Sequence, residues 1–391
     1  MRPLTATFQR FLASEQASSI LLLLVTVLAL VIANSVLAEH YHHFWHHQWL
    51  ALSLEEWVND GLMAIFFLLI GLELKRELYV GELSSVNNAL LPTIAAMGGM
   101  IVPACIFWQF NHGTAYQAGV GIPMATDIAF ALGVLSILGK RVPAPLKVFL
   151  VAFAVIDDLG AAIMIAVFYT ASISWPHLLA ALAVLAFLFA LNRWRVLSMI
   201  PYVLGGAFMW WLTLKSGVHA TLAGIALAFA IPFHHHPENE DSPSHQLEHA
   251  LHLPVAFLIL PVFAFANTGV QVAANSMTAV FSHSNSLGII LGLLIGKPVG
   301  IMLAVVAAIV TGVCKLHPPL RLPHVIGAGM LGGIGFTMSI FITNLAFSEM
   351  ADAINLSKMA ILTGSLLSGL AGWLWLSVVL RQGAVNEVST K

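Results

Sequence analysis

Of the 391 residues, 59% are hydrophobic and 9% charged, and the mean hydropathy is +0.91; these values exclude a soluble globular domain and a disordered chain. The formal net charge of −2, with no Lys/Arg block longer than two, supplies no field for nucleic acid. Cys105 and Cys314 have neither metal-ligand spacing nor a disulfide framework around them. What remains is a polytopic membrane protein whose first partner is the lipid bilayer.

In chain order, Arg2 and Arg10 precede an apolar run from Ser18 to Leu37 that is longer than a signal-peptide core and reads as a first span. Runs long enough to cross the hydrocarbon core are expected near 17–37, 57–79, 88–108, 118–138, 146–170, 176–192, 198–214, 217–233, 250–270, 286–312, 323–347 and 357–380. The expected fold is therefore all-α, with 12 transmembrane helices in a single transporter domain, 1–391. Every Lys and Arg except Lys215, Lys358 and Lys297 falls on the side of the N-terminus, so the excess of positive charge places both termini in the cytoplasm. The loop 234–249 departs from this pattern, carrying His234-His235-His236-Pro237-Glu238 and no Lys or Arg. Likewise the first outer connection reads His40-Tyr41-His42-His43-Phe44-Trp45-His46-His47. Both histidine runs are expected to be exposed, weakly structured loops rather than metal sites.

Two spans read as broken helices. The fourth begins Gly119-Val120-Gly121-Ile122-Pro123-Met124-Ala125-Thr126-Asp127, and the eleventh contains Leu331-Gly332-Gly333-Ile334-Gly335-Phe336-Thr337. Unwound backbone at membrane depth is tolerated only where protein or a water-filled cavity satisfies its polar groups. The two breaks hold corresponding places in spans 3–5 and 10–12, which start on opposite sides of the membrane; this inverted repeat points to a secondary transporter with its site near the midplane.

The chemistry lies in Val155-Ile156-Asp157-Asp158-Leu159-Gly160, two adjacent carboxylates inside an apolar run from Val148 to Tyr169. A charge at the centre of a membrane helix costs about 2.5–3.5 kcal/mol, so two together mark function. Consecutive residues on a helix point about 100° apart, letting one face a neighbouring helix and the other a cavity. Alkali cations want oxygen ligands, and two carboxylates that repel each other also compete for a proton. Each can hold either a proton or a share of Na⁺, which is the competition that ion exchange requires. Lys297, in Ile295-Gly296-Lys297-Pro298, is the one cation deep in an apolar segment, and Asp157 is its expected partner, whether in a working salt bridge or a static one. Asp127, after Thr126 at the break in span four, reads either as a balance for helix-terminal charges together with Lys297 or as a direct ion ligand.

At the expected cytoplasmic mouth, Glu73, Arg76 and Glu77 end span two, while Glu248, His249 and His252 open span nine. Both sets recur at helical spacing, placing each on one face, and histidine beside carboxylates makes either a pH-responsive gate or a wet helix end. His219, in Gly217-Val218-His219-Ala220-Thr221, reads as a packed, hydrogen-bonded histidine more readily than as a further pH-sensing group. Enzyme readings fare worse. Asp157-Asp158-Leu159-Gly160-Ala161 lacks the third Asp of the DDxxD motif of membrane prenyltransferases, and no Gly-x-Gly-Asp signature of intramembrane aspartyl proteases occurs. The chain is expected not to be an enzyme. A proton-coupled organic solute transporter remains as the alternative, but it should line its cavity with more polar groups than three Asp and one Lys.

These motifs, with Ala129-Phe130-Ala131-Leu132-Gly133 after Asp127, Leu260-Pro261-Val262-Phe263-Ala264-Phe265-Ala266-Asn267, and Met338-Ser339-Ile340-Phe341-Ile342 after Thr337, resemble the bacterial NhaA sodium/proton antiporters over nearly the whole chain. The resemblance implies a twelve-helix inner-membrane protein that expels Na⁺ or Li⁺ by importing more than one proton per ion. It implies Asp157 and Asp158 as the ion and proton site, Lys297 as partner of Asp157, and Asp127 with Thr126 at crossed breaks. It implies no cofactor, and activation at alkaline pH through Glu73, Glu77, Glu248, His249 and His252. The family resemblance also implies a homodimer held by an outer hairpin between the first two helices; here the connection from Ala38 to Glu55 is short and histidine-rich, which argues for a different dimer contact.

Overall fold

The structure, a computed structural model, describes residues 6–170, 173–233, 242–272, 276–316 and 318–389. The loop 234–241 with its histidine run lies outside the described residues.

The chain opens with α1 (Ala6–Ala33) and the short α2 (Ala38–Trp45). Two-residue strands β1 (Gln48–Trp49) and β2 (Leu52–Ser53) then pair antiparallel, with Gln48 opposite Ser53. A capping box launches the second span: the Ser53 hydroxyl accepts from the Glu56 backbone at 3.2 Å, and the Glu56 carboxylate accepts from the Ser53 backbone at 2.6 Å. That span passes through a π-turn (Trp57–Leu62) into α3 (Met63–Tyr79). There follow α4 (Val86–Asn111), a 3₁₀ segment (Gln117–Met124), α5 (Ile128–Ile137), α6 (Ala144–Phe168), α7 (Trp175–Arg193), α8 (Ile200–Ser216) and α9 (Leu222–Ala230). The remainder consists of α10 (Pro243–Pro254), α11 (Leu260–Asn267), α12 (Ser284–Leu291), α13 (Lys297–Val310), α14 (Leu322–Gly332), α15 (Phe336–Ala346) and α16 (Ala351–Ser389). π-Turns join α10 to α11 (Val255–Ile259) and α12 to α13 (Gly292–Gly296).

Among the described residues nine helices are long and apolar enough to cross a membrane, and ten if α14 and α15, bent by 47°, count as one span. The seventh and eighth expected spans fall short of that length. α8 has 17 residues and stops at Gly217, whose φ of 82° is left-handed; α9 has nine and stops before Pro232, which holds Ile231 extended. Large apolar side chains stand exposed along α1 (Ile20, Leu24, Val31) and α7 (Leu179, Leu182, Phe187). Such stripes suit lipid, where only backbone polar groups must be satisfied within the segment. The chain is thus a multi-pass membrane protein.

The first outer connection is not the loose loop its histidines suggest. Tyr41 and Trp45, one helical turn apart on α2, are both buried. The Tyr41 hydroxyl donates to the Phe265 carbonyl, and its ring meets Phe265 edge-on at 5.5 Å. The histidines of α2 take up the remaining faces, His40 and His43 fully exposed.

By packing, the chain divides into two compact units. One comprises Met1–Leu24, Ser85–Ala161 and Val270–Lys391, the other Val25–Ser84 and Ala162–Gly269. In the first, α4 and α13 touch backbone to backbone, since a Cβ at Gly300 would lie 2.1 Å from the Gly98 carbonyl oxygen. In the second, Leu72, Leu188, Tyr202, Ala228 and Ile231 form a fully buried core drawn from α3, α7, α8 and the end of α9.

Candidate functional site

All members of the expected ion site lie in the first unit. Pro123 and the glycines before it keep the first half of span four in a tight 3₁₀ coil, and the chain then runs extended from Ala125 to Asp127 before α5 begins. Span eleven is broken by Gly333-Ile334-Gly335 between α14 and α15.

The two breaks satisfy each other's polar groups. The Asp127 backbone N–H donates to the Ile334 carbonyl at 2.6 Å, and the Thr126 hydroxyl donates to the Gly332 carbonyl at 2.8 Å. Asp127, 3% exposed, accepts from the Phe130 backbone N–H at 3.1 Å through Oδ1 and from the Thr337 backbone N–H at 3.1 Å through Oδ2. The Thr337 hydroxyl donates to the same Oδ2. One carboxylate therefore sits on the N-termini of both α5 and α15, where unpaired N–H groups and the positive ends of the dipoles favour an anion.

On α6, Asp157 and Asp158 are 0% and 1% exposed. Asp157 Oδ2 accepts from Lys297 Nζ at 2.7 Å, in an ion pair buried on both sides. The ammonium also donates to the Met124 carbonyl, the last residue of the 3₁₀ segment, and lies 5.9 Å from the centre of the Phe153 ring. It thus meets the carbonyl end of one half-helix while Asp127 meets N–H ends. Thr126 lies against the Asp157 carboxylate, and Asp158 adds its charge to the field at Lys297. Lys297 directly follows the π-turn Gly292–Gly296, a surplus-residue turn of the kind that often marks functional positions. Chemically, the arrangement offers two adjacent carboxylates, one tied to an ammonium that has a second acceptor already in reach.

The other cluster lies in the second unit. Arg76 Nε meets Glu248 Oε1 at 2.8 Å and Arg76 Nη2 meets Glu77 Oε1 at 3.3 Å, with Glu73 adding its charge from the preceding turn. The expectation that Glu248, His249 and His252 share one face fails at His249. Glu248 turns toward α3, so its chain neighbour, about 100° further round the helix, is exposed. His252, one turn beyond Glu248, is half-buried. His219 lies in the turn between α8 and α9, where its Nε2 is 2.7 Å from the Tyr169 carbonyl oxygen.

Sequence reasoning assigned no role to Thr337 or Lys75. Thr337 stands second in α15, where a threonine at a glycine-broken helix start is a recognisable donor to a distant carboxylate. Lys75 is 3% exposed among backbone carbonyls, and nothing in the local run Leu74-Lys75-Arg76-Glu77 distinguishes it from a solvated lysine.

The family model described as Na⁺/H⁺ antiporter 1 matches residues 9–376. A Na⁺/H⁺ antiporter NhaA of Dechloromonas aromatica (strain RCB) is 60% identical over 375 residues, covering 96% of each chain. Na⁺/H⁺ antiporter NhaA 1 of Flavobacterium johnsoniae is 54% identical over 377 residues, 96% of this chain and 98% of its own. The NhaA of Vibrio campbellii is 48% identical over 383 residues, 97% of each. With buried paired carboxylates, mutually satisfied helix breaks and this likeness along almost its full length, the chain belongs to the NhaA family of Na⁺/H⁺ antiporters.

Proposed function

We propose that the chain works as one transporter domain, an electrogenic antiporter that expels Na⁺ or Li⁺ across a bacterial cytoplasmic membrane in exchange for more than one proton. The observation that carries this reading is the buried pair Asp157 and Asp158 with Lys297 on Asp157 and the Met124 carbonyl beside the ammonium. Asp158 and Asp157 are the ion's carboxylate ligands. When Na⁺ takes up Asp157, Lys297 keeps the Met124 carbonyl as its acceptor; when the ion leaves, protons and the ammonium reclaim the carboxylates. Asp127, with Thr126, balances the converging helix ends. Twelve spans, with an inverted repeat of three helices around each break and both termini in the cytoplasm, complete the reading. Net transfer of one charge per cycle gains about 2.3 kcal/mol per 100 mV, which makes uneven exchange useful to a cell with an interior-negative potential. The Arg76, Glu77 and Glu248 cluster, with Glu73, His249, His252 and His219, adjusts activity to pH and favours the alkaline range.

The test is reconstitution of the purified chain into vesicles with an imposed pH gradient, adding Na⁺, Li⁺ and K⁺ separately at several pH values. Na⁺ and Li⁺ should dissipate the gradient in the parent and not in Asp158→Asn. Folded protein that ignores every alkali cation under alkaline conditions would overturn the reading.

A further inference from the structure

α9 is nine residues long, and its last carbonyls are accounted for one by one. Leu227 O accepts from the Ile231 backbone at 3.1 Å, and Ala230 O from Asn192 Nδ2 of α7 at 2.8 Å. Three others converge on a single side chain: Lys75 Nζ donates to Ala228 O at 3.2 Å, to Phe229 O at 3.0 Å and to Ile231 O. An ammonium has three donors and here three acceptors, all of them backbone. It also sits where the negative end of the helix dipole favours a cation. One turn earlier on α3, a Cβ at Gly71 would lie 2.7 Å from the Ala228 side chain, so the two helices meet without a gap just before the clamp.

Lys75 and Arg76 are chain neighbours with separate tasks. Because the lysine's donors are committed to α9, the carboxylates at this end fall to Arg76, about 100° further round. Those facing Arg76 are Glu73 and Glu77 from its own helix and Glu248 from α10, with His252 one turn beyond Glu248. From α9 Lys75 meets only backbone carbonyls, and from α7 the neutral Asn192 caps the same terminus.

We propose that Lys75 is a positioning residue: by holding α3 on the carbonyl end of α9, its ammonium fixes where Arg76 meets Glu248, and so sets the pH response from a position bonded to backbone alone. The inference rests on the pH role given to that cluster under Proposed function.

The experiment uses the full chain in vesicles, as parent, Lys75→Met, Lys75→Gln and Lys75→Arg. Na⁺-dependent dissipation of the gradient is measured across pH, with hydrogen exchange of peptides covering 222–233 and 244–254 measured alongside. In Lys75→Met the pH of half-maximal activity should move by about half a unit or more. The apparent KM for Na⁺ at the most active pH should stay within about twofold, and Lys75→Arg should bring the profile most of the way back. Amide exchange at the end of α9 and around Glu248 should rise about tenfold in Lys75→Met. Should that variant not fold, Lys75→Gln, which keeps two donors, is expected to give a smaller shift in the same direction. An unmoved profile in folded protein, or a loss of amplitude alone, overturns the proposal, since a purely structural cap gives that. If the parent itself ignores Na⁺, the antiport reading falls separately. The clamp is then decided by exchange: unchanged protection in Lys75→Met overturns it, and faster exchange reversed by Lys75→Arg supports it.

Discussion

Asp127 and Thr337 stand 210 residues apart and share two hydrogen bonds, the threonine's backbone N–H and its hydroxyl both donating to Oδ2. With Phe130 on the other oxygen, a single carboxylate ties the starts of two half-helices together. Asp127→Ala removes a helix cap and leaves buried donors unpaired, a loss of about 2–4 kcal/mol. Thermal unfolding in detergent should show it, with Asp127→Asn between the two because its amide keeps one acceptor oxygen. An Asp127→Ala protein as stable as the parent would mean that the helix starts find other partners.

Lys297→Met should destabilise by about 3–5 kcal/mol, because it strands Asp157 as a buried carboxylate without its counter-charge. The double variant Lys297→Met with Asp157→Asn should recover most of that loss, since a neutral pair of similar size needs no counter-ion. A double-mutant cycle on unfolding temperatures reads the coupling directly; additive losses would show that the two groups are not a pair in the folded protein.

Gly300→Val should prevent folding or cost about 3 kcal/mol or more, because the backbone of Gly98 occupies the space a side chain needs. Expression, monodispersity in detergent and unfolding temperature together measure this. A well-folded valine variant would place α4 and α13 further apart than described.

Tyr41 supplies a pH prediction outside the spans. Burial pushes its phenol up to about 12 from 10.0. As pH rises past about 10, the unfolded chain gives up a proton that the folded chain keeps, so stability falls between about 10 and about 12. Tyr41→Phe removes this contribution. Its unfolding temperature should decline less steeply across that window than the parent's, although the lost bond to Phe265 lowers it at neutral pH. Parallel declines would show a phenol free to ionise in the folded state.

The sequence made the long apolar helices legible because hydropathy is a local property: α4 and α6 lie where their runs of apolar residues put them. Asp127 was legible as a break residue, since Thr-Asp before an apolar run reads as a helix start, yet its acceptor role for Thr337 depends on a partner 210 residues away that local pattern does not encode. For α9 the apolar run 217–233 was as long as a span, but Gly217 and Pro232 confine the helix to nine residues inside it. On α2 the many histidines masked the informative spacing, Tyr41 and Trp45 at i and i+4, which marks a buried face. Lys75 was hidden for the opposite reason. A lysine in a charged run resembles every other wet lysine until the carbonyl end of another helix is brought against it.

The π-turn ahead of Lys297 makes the direction of that side chain a matter of arithmetic. A π-turn houses one residue more than the α-helix around it, so removing any one of residues 292–296 would let the span close into regular helix with its ladder intact. Everything beyond would turn by about 100° relative to what precedes it. Such a deletion leaves each carboxylate, the lysine and every apolar face chemically untouched, yet it aims the ammonium elsewhere. The meeting of Lys297 with Asp157 is thus stored in how many residues precede the lysine as much as in what they are.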